Sequence, residues 1–269
     1  MPNANQAQVL NAAQVSIVIL MIASSLTVWW MWFRRWKRFG EIWQHEPADA
    51  PFWNSAVVVV ALAIIGLFLF YGLTSRSGES KPITVEQVRS GCLERVALAA
   101  MMLGLLISFG ARSVREFGIT LANWRTQVMA GLETAHASFL PVLLIMVATA
   151  LLRQPGEKNA LLVLLSQDRS LATLAWVVLA AVVLAPLVEE LLFRVILLGW
   201  LKTKMASAYA IGISSLAFAF IHGPLDGAAL LPLALLLGNL YDRQQRYLSV
   251  VVAHGVFNLW NIALTIAAC

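Results

Sequence analysis

A chain of 269 residues that is 60% hydrophobic and 12% charged, with a mean hydropathy of +0.77, is too apolar for an ordinary soluble domain. Its net charge of +5 comes from basic residues in loops beside apolar runs, which argues against nucleic acid and for the lipid bilayer as partner. Two cysteines, Cys92 and the terminal Cys269, give neither a metal spacing nor a disulfide framework.

Uncharged apolar runs that cross, or nearly cross, a ~30 Å hydrocarbon core occur at 15–33, 56–73, 96–111, 138–152, 171–201, 206–221, 228–240 and 250–267. In lipid each backbone polar group must be satisfied within its own segment. The predicted fold is therefore all-α, a polytopic membrane helix bundle of about eight transmembrane helices.

The first run is followed by Arg34-Arg35-Trp36-Lys37-Arg38 and flanked by Trp29, Trp30, Trp32 and Trp43, the pattern of a positive-inside anchor with an aromatic belt. This predicts a multi-pass protein of the plasma or inner membrane with its N-terminus outside the cytoplasm. The run has no basic segment before it and no evident small-residue cleavage site, so it is expected to be a retained helix and not a signal peptide. The polar stretch 75–82 reads as a linker. Between Arg112 and Ala137, Trp124, Val128, Met129 and Leu132 alternate with Arg125, Gln127 and Glu133, as in an amphipathic helix lying at the interface. Residues 1–135 thus form N-terminal transmembrane helices with an interfacial segment and no recognisable chemistry. Residues 136–269 carry the function, because from Leu171 onward ionisable residues enter the apolar runs.

Glu189, Glu190 and Arg194 stand inside 171–201. A charge at the centre of a membrane helix costs at least ~2.5–3.5 kcal/mol, which marks a functional site with nearby partners. Glu190 and Arg194, at i and i+4, share a helix face and can pair. Glu189 is rotated ~100° away and stays available as a general base or acid. His222 ends the next run before Gly223-Pro224 breaks it. Glu189 and His222 lie at nearly equal sequence distance on either side of Met205, so antiparallel pairing puts both ~25 Å from the turn. On the last run His254 and Asn258 are again i and i+4, and as donors they suit charge developing on a carbonyl oxygen. By residue count His254 lies shallower than Glu189, so a tilted or broken helix is required.

These three motifs, Glu189-Glu190-Leu191-Leu192-Phe193-Arg194, Phe218 to His222 and His254 to Asn258, resemble in order those of the CAAX protease and bacteriocin-processing family of intramembrane proteases, whose eukaryotic members are the type II CAAX prenyl endopeptidases. Leu237-Gly238-Asn239-Leu240-Tyr241 looks like the family's weaker Gly-containing motif. The resemblance covers roughly 171–266. Val195 stands where a Gly often follows the motif's Arg, and the N-terminal half has no match. The resemblance implies that Glu189 and His222 hold and activate a water, that His254 and Asn258 form an oxyanion hole, and that Glu190 and Arg194 orient the site.

The expected function is an intramembrane endopeptidase acting on a membrane-anchored or lipid-modified peptide, without cofactor. One alternative is a zinc-dependent version in which Glu189, His222 and His254 hold the metal with a fourth position open, although no His-Glu-x-x-His motif occurs. Another is a non-catalytic membrane partner or immunity protein. A third is a proton-relaying transporter, which predicts inverted repeats that this chain does not display.

Overall fold

The computed structural model describes residues 11–43, 53, 55–74, 83–108, 114–152 and 160–267. The linker at 75–82, Arg112 and Cys269 lie outside them. The described residues form helices and connecting turns, with no strand among them. We label the helices α1 (Ala12–Phe39), α2 (Ser55–Thr74), α3 (Val85–Ser108), α4 (Trp124–Ala148), α5 (Ala160–Gln167), α6 (Leu171–Leu201), α7 (Ser207–Ile221), α8 (Pro224–Gln244) and α9 (Tyr247–Ala267). Six of them, α1, α3, α4, α6, α8 and α9, are long and apolar enough to cross a membrane; Ser55–Phe68 within α2, and α7, are shorter apolar helices. The protein is a multi-pass, all-α membrane bundle, and each of the eight apolar runs falls largely or wholly within a described helix.

Lipid tails are as apolar as leucine, so helices in a bilayer associate through van der Waals packing and interhelical hydrogen bonds. In α4 the proline at 141 cannot donate to the carbonyl of Ala137 four residues back. Two groups of α1 donate there instead, Ser25 Oγ at 3.2 Å and Trp29 Nε1 at 2.9 Å, which fixes α1 against α4. One turn and more further along, Arg35 grips Glu133 with both terminal nitrogens at 3.0 and 3.2 Å, and Trp32 Nε1 donates to the same carboxylate.

These contacts correct two expectations. The segment before residue 138 is not an interfacial helix separate from the next run: α4 starts at Trp124 and continues unbroken to Ala148. Its small and polar residues, including Gln127, Gly131, Thr134 and Ser138, are buried against α1, α8 and α9. The position 135/136 therefore lies inside a helix. The aromatic belt holds only in part, because Trp32 and Trp43 are buried as an edge-to-face pair with centroids 4.8 Å apart, while Trp30 is exposed.

Helix α6 is the axis of the bundle. Asp168 accepts hydrogen bonds from the Thr173 hydroxyl and the Ser170 N–H, and Ser170 caps the helix. The hydroxyl of Thr173 and the backbone N–H of Ser170 hold the Asp168 carboxyl below its usual range. Beyond this cap, two stretches of α6, Leu179–Leu184 and Leu191–Leu198, are wound as wide π-helical turns around a short α-helical segment, Ala185–Glu190. Every residue of the second stretch is buried, packed among Phe218, Leu233, Leu237 and Val250. Side chains of other helices donate to α6 carbonyls: Ser214 Oγ to Phe193 at 2.7 Å, and the Tyr247 hydroxyl to Leu187. Helix α2 lies against the second wide stretch, and α3 against the first stretch and the turn carrying the glutamates.

The ends of several helices meet on one side. Lys202 pairs with Asp242 at 2.6 Å, the Tyr241 hydroxyl donates to Phe117 O at 2.9 Å, and Tyr247 N–H donates to Gly118 O at 3.0 Å. The basic residues Arg115, Lys202, Arg243 and Arg246 belong to this face. At its other end, α7 turns into α8 through Gly223, whose φ of 88° only glycine adopts readily, followed by Pro224 at the start of α8.

Candidate active site

Five of the six ionisable or polar residues singled out above converge where α6, α7 and α9 meet. Glu190 and Arg194 are fully buried, with Glu190 Oε2 3.1 Å from Arg194 Nε. The two atoms are close but out of line for a directed hydrogen bond, so the contact is chiefly ionic. Glu190 presents its other oxygen to His254 Nδ1 at 2.8 Å. The guanidinium carbon of Arg194 lies 4.7 Å from the centre of the Phe218 ring, a cation–π contact.

Glu189 turns the other way. Its Oε2 stands 3.8 Å from His222 Nε2 and 3.9 Å from His254 Nε2, and has no hydrogen-bond partner among the described residues. Both imidazoles are oriented through their far nitrogens. His222 Nδ1 is 2.8 Å from Phe218 O, and because a carbonyl only accepts, Nδ1 carries the proton there. In the neutral ring this leaves a lone pair on Nε2, facing Glu189. Phe218 completes the frame: its ring lies 4.7 Å from that of His222 and 5.6 Å, edge-on, from that of His254. The sequence places Phe218 in a motif, but its contact with two imidazoles and a guanidinium appears only in three dimensions.

Glu189 and His254 meet at one depth, Oε2 to Nε2 3.9 Å, and the irregular winding of α6 contributes part of this. Wide turns fit more residues into each turn and so advance less per residue, which brings the glutamates closer to the Lys202 end than a rise of ~1.5 Å per residue would place them. Helix α9 also comes very near α6: a Cβ on Gly255, next to His254, would lie 2.5 Å from Val182 O.

Asn258 is engaged elsewhere. In the first wide stretch hydrogen bonds run to the fifth residue back, as from Ala185 N–H to Ala180 O. The next such bond would join residue 186 to Ala181 O, but residue 186 is proline and has no N–H. Asn258 Nδ2 takes that place, donating to Ala181 O at 2.8 Å. One N–H of its amide remains for another acceptor. Replacing Asn258 by Asp, nearly isosteric but without this donor, is expected to destabilise the protein by ~1–3 kcal/mol. Thermal unfolding in detergent checks it, and an unchanged midpoint would reduce Asn258 to chemistry alone.

A cavity of about 510 Å³ opens onto Glu189 and His222. Phe68 of α2 and Gly91, Glu94, Arg95 and Leu98 of α3 form its opposite wall. These N-terminal residues escaped the sequence reading, because nothing in the spacing of a short acid–base pair on α3 ties it to a motif almost a hundred residues later.

Among the described residues, no group of three or more His, Cys, Asp or Glu side chains has the geometry of a metal site.

Residues 171–260 match the family model of the type II CAAX prenyl endopeptidase Rce1-like proteins. No curated protein and no solved structure matches the chain. The matched segment begins with α6, holds α7 and α8, and ends in α9, so it contains all the residues that converge on Glu189. Over these residues the chain is similar to the CAAX protease family.

Proposed function

We propose that the protein is an intramembrane endopeptidase that hydrolyses a peptide bond of a membrane-anchored or lipid-modified substrate with a water activated by Glu189. The observation that supports this most is the Glu189 carboxylate itself, whose Oε2 has no hydrogen-bond partner among the described residues, is flanked by two Nε2 atoms and is open to a cavity.

Glu189 and the neutral His222 both present acceptors, and a water with two O–H groups satisfies both. As this water attacks the scissile carbonyl carbon, Glu189 takes its proton and then returns it to the nitrogen of the leaving amine. The developing oxyanion needs donors. The remaining Asn258 N–H is one, and His254 Nε2 is the other. To donate at Nε2 while Nδ1 donates to Glu190, His254 acts as an imidazolium, which balances two carboxylates against the single guanidinium of Arg194. Donors of this kind, fixed in a water-poor site, are each worth ~2.7–4 kcal/mol in the transition state. Glu190 and Arg194 are positioning residues that hold His254.

In this reading residues 136–269 are the protease core, and α1–α3 with the start of α4 support it and wall its cavity. The basic face at Lys202 and Arg243 is cytoplasmic by the positive-inside rule, with the N-terminus outside. The substrate class follows from the bilayer: a peptide that reaches this cavity is itself held at the membrane.

The test is cleavage of membrane-anchored peptides by purified protein in detergent, with and without a strong chelator. Cleavage unaffected by the chelator supports the cofactor-free reaction. Cleavage lost in chelator and restored by zinc overturns it in favour of a zinc site. No cleavage of any peptide that binds returns the protein to the class of non-catalytic membrane partners.

A further inference from the structure

The wall of the cavity opposite Glu189 carries a cation, Arg95. Arg95 lies near the middle of α3, which is long and apolar enough to span the membrane, and its side chain is half-buried. A half-buried guanidinium on a cavity wall is placed to take an anionic partner. Glu94, the adjacent acid, does not fill that role. Neighbours at i and i+1 on a helix do not face each other, and among the described residues Arg95 forms no ion pair with any carboxylate. Its Nη1 is instead 3.2 Å from the Gly91 carbonyl one turn back. A Cβ on Gly91 would come within 3.2 Å of that same nitrogen, so a larger residue there would crowd the guanidinium. The other ionisable groups on the cavity wall are Glu94, which is exposed, Glu189 and His222.

We propose that Arg95 is a substrate-binding residue, holding a carboxylate of the peptide whose scissile bond lies over Glu189. The proposal rests on the protease reading and adds the substrate's chemistry to it. With two acids on its wall the cavity disfavours an anionic peptide, and Arg95 is the cation on that wall that can hold a carboxylate locally. A guanidinium is also the side chain that grips a carboxylate with two parallel hydrogen bonds. A peptide offers such a group either at its C-terminus or on an Asp or Glu side chain.

The experiment compares three membrane-anchored peptides of one sequence: one ending in a free acid, one ending in a carboxamide, and the carboxamide with an Asp introduced beside the scissile bond. Cleavage is measured for the wild type, Arg95→Lys and Arg95→Gln, and binding of the same fluorescently labelled peptides for the Glu189→Gln protein. One of the carboxylate-bearing peptides is expected to be cut with a KM about tenfold or more below that of the plain carboxamide. Which of them it is identifies the source of the carboxylate. Arg95→Gln brings the ratio to about one, and Arg95→Lys keeps part of it. Equal KM for all three peptides in the wild type, or a preference that survives Arg95→Gln, overturns the proposal while leaving the protease reading in place. Carboxylate-dependent binding without cleavage of any peptide sinks the protease reading and keeps the Arg95 subsite.

Discussion

Glu189→Gln is expected to lose peptide cleavage to within the residual rate of the site and to leave the protein folded. Loss of a general base lowers the rate by about 10²–10⁴-fold, and the amide cannot take a proton from water at all. The structural cost is small for reasons visible in the site. Glu189 is part-exposed, its side chain fits Gln without change of volume, and its Oε2 gives up no hydrogen bond among the described residues. The thermal unfolding midpoint of the variant in detergent is expected to shift by no more than a change of ~0.5 kcal/mol. Cleavage assays and melting curves on the same preparation check both halves. Full activity in the variant removes Glu189 from the chemistry. A transporter built on the same groups would instead lose the coupling of transport to pH.

Glu190→Ala, one residue along, is expected to have the opposite profile: a destabilisation of ~3–5 kcal/mol whether or not substrate is present. Arg194 is fully buried, and its charge is balanced at 3.1 Å by Glu190. Removing the carboxylate leaves a guanidinium in an apolar core with the Phe218 ring, a long, 3.5 Å contact to Ala234 O and the more distant charge of Glu189. It also frees His254 Nδ1, so the imidazole loses its orientation. The melting midpoints of Glu190→Ala, Arg194→Met and the double variant form a cycle. Strong coupling is expected, with the double variant more stable than Glu190→Ala, because burying two apolar groups is cheaper than burying one unpaired charge. Additive effects would show that the pair is not a unit.

The contrast between the two glutamates was legible in the sequence, since i,i+4 spacing assigns Glu190 to Arg194 and leaves Glu189 free. The helical runs were legible too, because lipid-facing surface must be apolar. What escaped was what faces protein. In α4, Gln127 and Glu133 look like the polar side of an interfacial helix, yet Gln127 is buried and Glu133 is held by Trp32 and Arg35 of α1. Hydropathy does not distinguish a polar group facing water from one facing another helix. The proline at 141 suggests a boundary at that point, and only Ser25 and Trp29, more than a hundred residues earlier, show why none is needed. The partner of Asn258 was hidden for a similar reason. A proline interrupts a hydrogen bond that a regular helix would not make, so the orphaned Ala181 carbonyl becomes predictable only once the wide turn is known.

The two wide stretches of α6 have a consequence for how the segment tolerates change in length. A π-helical turn amounts to one residue inserted into an otherwise regular helix. Deleting a single apolar residue from Leu191–Leu198 would yield a more conventional helix, still apolar and still long enough to cross the membrane. A deletion at 191–193 would also change Glu190 and Arg194 from i,i+4 to i,i+3 neighbours and shift the face that each presents to α7 and α9. Such a variant is expected to keep its helical content by circular dichroism and to lose cleavage altogether: on this helix the irregular residue count, more than any one side chain, is what makes a site.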